Sequence, residues 1–409
     1  MGRIVIVANF TSGENEKNRF IHLAKLLSDK GHEVEVLTTD FRHGKKIPKG
    51  INKDSSSFKI VHIHEPGYKT NISLRRLYSH RKWGKNVFNY IKTKINRPDL
   101  IYCAIPSLTA PKLLGKYCQK KNINFITDIQ DLWPEGFEQL IKNKILKKLL
   151  LPVYKYADKA YQYSDIVIGV SQTYVNRGIK SLKISGKEGK NNKTNNNGLT
   201  VYIGNNLKVF DEAKKNKYLI KRNEDFWIGY IGTLSFSYDI KCVFDALNIL
   251  KNKYNIKNIK FIIMGEGPLK EEFQSYGSRK NIDNMFTGPL PYEEMVSNLC
   301  QCDIVVNPIV KGAAQSITNK IGDYAFAGLP VINTQPNQEY RDLLEEYDCG
   351  INCGIGNSNE MADAIYKLYI NKNLRKQMGL NGRKLGEEKF DRNKTYSLIV
   401  NTIESLINK

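Results

Sequence analysis

Histidine is sparse in this chain of 409 residues and confined to one end: six occur, all before residue 81. His62 and His64 fall on one face of a predicted strand, where a packed or hydrogen-bonded pair accounts for them more simply than a metal site. No Asp-x-Asp triplet occurs, so the carboxylate pair that would clamp a divalent cation onto a diphosphate has no candidate; the sequence calls for neither metal nor cofactor. The seven cysteines (Cys103, Cys118, Cys242, Cys300, Cys302, Cys349 and Cys353) are odd in number and lack CxxC spacing, which leaves them as small buried apolar residues. Long apolar runs are missing too. Ile4–Ala8 is too short for a signal peptide and no stretch approaches a membrane span, so the expected location is the cytoplasm.

Acidic residues are scarce in one half only. Residues 1–200 carry 36 Lys/Arg against 16 Asp/Glu, and residues 201–409 carry 27 against 25, within a net charge of +22. The first half therefore calls for an anionic partner: membrane headgroups, a pyrophosphate-linked acceptor or nucleic acid. Lys69–Arg97 is the extreme case, with nine Lys/Arg, no Asp/Glu, and Leu74, Leu77, Tyr78, Trp83, Val87, Phe88, Tyr90 and Ile91 between them. A basic amphipathic segment with aromatics suits an anionic membrane interface.

What is present is apolar periodicity. Length and 41% apolar content suit two domains with substantial cores. Ile4–Ala8, the helical pattern Arg19–Lys30 with Gly31 behind it, and Glu33–Thr38 form one βαβ unit. Strands are predicted again at Lys59–Ile63, Leu100–Ala104, Asn124–Ile129, Asp165–Val170 and Leu199–Ile203. The polar stretch Ser185–Gly198 reads as a solvated loop and Asp211–Asp225 as an interdomain linker. A second series follows: Trp227–Ile231, Ile259–Met264, Asn284–Thr287, Ile304–Asn307 and Pro330–Asn333. Such alternation predicts two doubly wound, Rossmann-like α/β domains facing across a cleft, spanning 1–205 and 206–390, with a helix over 391–409 packing back across the junction.

Glycines at strand ends in the second half (Gly232, Gly265 and Gly267) let backbone approach a ligand. The sharper element is Lys311–Val331. Thr318 or Asn319 would cap a short helix that Gly328 ends, and a small-residue loop entering a helix N-terminus is a seat for a diphosphate. Lys320 stands at that helix start, where the dipole disfavours a cation, so a bound anion would explain it. Asp323, one turn on, would present a carboxylate toward ribose hydroxyls or stand as an exposed acid on the helix surface.

Three stretches carry a family resemblance: Leu23–Val34, Asp131-Leu-Trp-Pro-Glu135 and, above all, Gln315–Val331. Over nearly its whole length the chain resembles glycosyltransferase family 4, retaining GT-B enzymes that build bacterial surface polysaccharides such as capsule and O-antigen. The resemblance implies a nucleotide-sugar-binding second domain, an acceptor-binding first domain, a UDP-sugar donor, a polyprenyl-pyrophosphate-linked saccharide acceptor at the inner face of the membrane, and metal-independent transfer. The family's two glutamates, one near the donor sugar and one on the ribose, fall at Gln315 and Asp323, so only the second keeps its charge. Its diphosphate-binding Arg and Lys fall at Thr233 and Asp239, which shifts charge neutralisation to Lys320 and backbone amides. Donor contacts are then expected from Gly232, Thr233, Gly265, Gly267, Ser316, Ile317, Thr318, Asn319, Lys320 and Asp323. Acceptor contacts are expected from Ser12, Gly13, Arg19 and Glu135, and catalytic roles for Lys320, Gln315 and Asp131.

Three other readings compete. A non-hydrolysing nucleotide-sugar epimerase has a similar fold and donor class but needs no acceptor. A nucleic-acid-binding protein is suggested by net charge alone. A non-catalytic partner of the same fold is suggested by the departures at Gln315, Thr233 and Asp239.

Overall fold

A computed structural model describes residues 1–11, 18–43, 47–48, 57–70, 73–93, 96–135, 151–184, 197–216, 218–313 and 317–408. The chain forms two units: Met1–Tyr202 together with Tyr396–Lys409, and Ile203–Thr395.

Among the described residues, the first unit is built on a seven-stranded parallel sheet. Its strands are β1 (Arg3–Val7), β2 (Glu33–Thr39), β5 (Lys59–Ile63), β6 (Leu100–Ile105), β7 (Asn124–Ile129), β8 (Ile166–Gly169) and β9 (Gly198–Thr200), in the order β5-β2-β1-β6-β7-β8-β9; β3 (Phe41–Arg42) and β4 (Ile47–Pro48) form a separate small hairpin. Every residue of β6 is buried, as a central parallel strand covered on both faces requires. Helices Arg19–Asp29, Leu74–Thr93, Thr109–Lys121, Leu151–Tyr161 and Gln172–Ile184 run between the strands. One core layer joins Ile4, Ile6, Leu23, Leu27 and Tyr102 to Tyr396, Ile399, Val400, Ile403 and Leu406 of the last helix, Arg392–Ile407. Those last five recur at helical spacing on one face.

The second unit repeats the plan with β10 (Phe226–Ile231), β11 (Ile259–Met264), β12 (Asn284–Gly288), β13 (Ile304–Asn307), β14 (Val331–Asn333) and β15 (Gly350–Asn352), in the parallel order β12-β11-β10-β13-β14-β15. The order reverses at β10, so the carboxyl ends of β10 and β13 flank the point where open α/β sheets hold ligands.

One local expectation fails. Asp211 does not lie in a linker: Leu207–Ala213 is helical, capped by Asn206 through the Val209 amide, and Asp211 pairs with Arg383 at 2.7 Å. The apolar spacing of Val209, Phe210 and Ala213 among charges is short, which hid the helix. Of the proposed loop Ser185–Gly198, Gly198 starts β9, and residues 185–196 lie outside the described residues.

Candidate active site

The helix Asn319–Ala327 begins after Thr318, whose backbone is extended but whose side chain makes no capping hydrogen bond, and its first turn holds no acid. It ends on Gly328 at φ +65°, a left-handed cap that suits glycine. Lys320 sits in that uncapped first turn and is only 7% exposed. Its ammonium has no hydrogen-bond partner among the described residues. It stands instead 4.0 Å from the Tyr238 ring centre and 4.8 Å from that of Tyr230. Burial lowers the Lys320 pKa to about 7, while the two ring faces favour the charged form. A buried cation with no partner among the described residues, in a helix start without a side-chain cap, is costly alone and well placed for an anion.

Gly232 closes β10 next to this lysine. At φ +137°, a side chain there would meet the Tyr230 hydroxyl at 3.2 Å and the Lys320 aliphatic stem at 3.8 Å. Gly265 has a packing reason: a Cβ on it would fall 1.9 Å from the Gly232 carbonyl. On Gly267 it would fall 2.2 Å from that of Leu234. The backbone carbonyl of Thr233 accepts from the Tyr230 hydroxyl at 2.8 Å. Asp239 caps the helix Ile240–Lys253 by accepting from the Cys242 amide at 3.1 Å. Around Lys320, Ile317 is buried, Thr318 half-buried and Asn319 exposed; Gln315 and Ser316 lie outside the described residues.

Asp323 is not on the surface; it is 5% exposed. One oxygen, Oδ1, accepts from the Asn205 amide at 2.8 Å and the Tyr292 hydroxyl at 2.9 Å. Burial raises its pKa to about 7, against those two hydrogen bonds and the charge of Arg392.

In the first unit the structure departs from expectation. Arg19 does not reach out toward a phosphate. Its Nε donates to Asp128 Oδ2 at 2.7 Å and its Nη1 to the Val201 carbonyl at 3.0 Å, and it is 4% exposed. Asp128 also accepts from Tyr102 at 2.6 Å and Gln130 at 2.7 Å, so the guanidinium closes a buried network. Glu135 is likewise engaged, by Arg177, which also binds Asp158 at 2.8 Å. Asp131 stays exposed; neighbouring atoms crowd its carboxyl and raise its pKa, with Arg76 opposing. His64 pairs with Asp40 at 2.9 Å. Ser12 and Gly13 lie outside the described residues.

A family model described as "Glycosyl transferases group 1" matches residues 225–371, and one described as "Glycosyltransferase Family 4" matches residues 18–187. The chain belongs to the family 4 glycosyltransferases. It is 24% identical over 377 residues to an uncharacterized glycosyltransferase of Methanocaldococcus jannaschii, covering 90% of this chain and 88% of that one. It is 20% identical over 387 residues to the 2-deoxystreptamine N-acetyl-D-glucosaminyltransferase of Niallia circulans, covering 90% and 92%. Its fold matches Anabaena HepE, solved in complex with UDP, with a TM-score of 0.67, 16% identity and coverage of 99% and 100%. Two parallel-sheet Rossmann-like units make this glycosyltransferase a GT-B protein.

One feature of the glycosyltransferase escaped sequence reading. At the strand ends of the first unit, the Arg76 guanidinium lies 4.7 Å from the Trp133 ring centre, 5.6 Å from Tyr68 and 5.9 Å from Phe10. His80 stacks on Trp133 at 5.6 Å, and burial lowers its pKa to about 3. Glu65 lies 3.9 Å from His80 and accepts from Ser79 at 2.8 Å. Burial raises the Glu65 pKa. Four separate segments contribute, so no local spacing announces the cluster; its one trace was the confinement of histidine to the first 80 residues.

Proposed function

We propose that this glycosyltransferase moves a hexosyl or N-acetylhexosaminyl group from a UDP-sugar, bound by the second unit, to a lipid-linked saccharide, bound by the first, in bacterial surface polysaccharide synthesis. The observation that supports the donor assignment is the buried Lys320 ammonium, without a hydrogen-bond partner among the described residues, in a helix start whose N-cap side chain makes no capping bond, at the reversal point of the second sheet. A nucleotide diphosphate would give that cation its counter-charge. The solved neighbours that hold UDP and UDP-glucose support the uridine nucleotide.

In this reading the bond from the anomeric carbon to the diphosphate breaks, and negative charge grows on the leaving oxygen. Lys320 and the helix amides meet that charge already in place, so little reorganisation is needed as it forms. The acceptor hydroxyl attacks from the face the diphosphate leaves and passes its proton to the departing phosphate oxygen, giving retention. No protein nucleophile and no metal takes part. Asp323 holds a ribose hydroxyl through Oδ2, which makes no hydrogen bond to a described residue.

The test is a thermal-shift screen of the whole chain against UDP-, GDP- and dTDP-sugars. A ligand at 100 times its Kd stabilises by about 2.7 kcal/mol. UDP-sugars are expected to raise Tm, and Asp323→Ala to remove the shift. A shift with another nucleotide class alone, or one that Asp323→Ala leaves intact, would overturn the donor assignment.

Membrane association belongs to the same proposal. On the helix Leu74–Thr93 the apolar residues Leu74, Leu77 and Tyr78 are exposed beside exposed Arg75, Arg81 and Lys82, while Trp83, Val87 and Ile91 face the core. No helix among the described residues is long and apolar enough to cross a membrane. Each surface cation contributes about 1 kcal/mol at an anionic leaflet. Changing Arg75, Arg81 and Lys82 to Gln should weaken binding to phosphatidylglycerol vesicles about 100-fold in flotation; unchanged flotation would count against docking through this helix. Arg76 is left in place because its guanidinium serves the ring cluster.

A further inference from the structure

Asp323 is held by groups that no motif in the sequence assigns. Asn205 belongs to the segment by which the chain enters the second unit, two residues past its start at Ile203. Its backbone is fixed on both sides: its amide donates to the Phe390 carbonyl at 3.0 Å, and its carbonyl accepts from the Arg392 amide at 3.0 Å. Gly204 precedes it at φ +55°, and a Cβ there would fall 2.0 Å from the Phe390 carbonyl, so only glycine lets the segment run this close. The Arg392 Nη2 donates to the Gly204 carbonyl at 2.7 Å. Tyr292 opens the helix Tyr292–Leu299, directly after Pro291. Burial and the nearby Asp323 raise the pKa of its phenol, which keeps the hydroxyl protonated and donating.

Three elements thus meet at one carboxylate, and both donors converge on Oδ1. A carboxylate with one oxygen clamped has a fixed plane, so the direction of its other oxygen is fixed as well. We infer that Asn205 and Tyr292 are positioning residues of the nucleotide site, which orient the Asp323 carboxylate so that Oδ2 faces the donor nucleotide. The inference rests on the donor-site reading above. It adds that the segment joining the units takes part in nucleotide recognition, through Asn205, without touching the nucleotide.

The sign of the pH effect follows from the opposing influences on Asp323. Burial pushes its pKa up, and the two hydrogen bonds and the charge of Arg392 pull it down. Removing either donor therefore raises the pH at which the carboxylate takes a proton. Nucleotide binding, which needs the carboxylate, is then lost at higher pH on the acid side.

The test titrates UDP into the full chain by calorimetry from pH 5.5 to 8.5, for the native protein, Tyr292→Phe, Asn205→Ala and Asp323→Asn, with circular dichroism to confirm folding. Asp323→Asn is expected to weaken UDP at every pH. Tyr292→Phe and Asn205→Ala are expected to weaken it about 10-fold near pH 7, to narrow that gap to the native chain by pH 8.5, and to move the acid limb upward. A purely structural role would lower affinity evenly and leave that limb in place. If Asp323→Asn weakens UDP but both other variants keep the native limb, the positioning inference is overturned while the donor site stands. If Asp323→Asn binds UDP as the native chain does, the donor reading itself has failed.

Discussion

Lys320→Met should lower kcat by 10²–10³-fold, about 2.7–4 kcal/mol of leaving-group stabilisation, with the fold unchanged. Methionine keeps the length and apolar stem that pack near Gly232 and between Tyr230 and Tyr238, so the change removes charge and little else. The apoprotein should not be destabilised: the buried ammonium has no hydrogen-bond partner among the described residues, and relief of that burden offsets lost ring contacts. The same lysine predicts the basic limb of donor binding. With a pKa lowered to about 7 in the free protein, Lys320 gains a proton when a diphosphate binds, so affinity falls as pH rises above 7. In the proposed donor site Asp323, also near 7, binds the nucleotide in its ionised form, so affinity should fall below that pH. A bell centred near neutrality is expected for UDP in the native chain. Its basic side should vanish in Lys320→Met, and kinetics that leave kcat within 3-fold of native would refute a catalytic role.

Arg19→Met should destabilise the first unit by about 3–5 kcal/mol, because it leaves the Asp128 carboxylate charged, buried and short of its counter-ion. For a unit of about 200 residues that is a fall in Tm of roughly 6–20 °C. Adding Asp128→Asn should recover part of the loss, since an amide oxygen still accepts from Tyr102 and carries no charge. Calorimetric scans of the single and double variants read this directly. A loss under 1 kcal/mol for Arg19→Met, or no recovery in the double variant, would mean the pair is not the support it resembles.

The difference between these two residues shows what the sequence could reveal. Strands such as Leu100–Ile105 and Phe226–Ile231 were legible because a parallel strand covered on both faces has to be apolar at every position. Lys320 stood out as a candidate because its charge opposes the helix start it occupies, a conflict between neighbours in sequence. Arg19 misled for the opposite reason. Its partner Asp128 is 109 positions away, and a cation at the end of a loop looks the same from sequence whether it faces a ligand or the core. The same distance hid the hold of Asn205 on Asp323, 118 positions apart. Backbone patterns are local, whereas the satisfaction of buried charge is settled by whatever the topology brings alongside.

The last helix also bears on how such a chain can be divided. Tyr396, Ile399, Val400, Ile403 and Leu406 complete the apolar layer of the first unit, although they follow the second in sequence. The second unit is in effect an insertion within the first. A fragment ending at residue 202 would display the bare faces of Ile4, Ile6 and Leu23 to water and invite aggregation. A working chimaera between two relatives would therefore exchange an internal cassette, residues 203–395, and keep each tail with its own amino-terminal half.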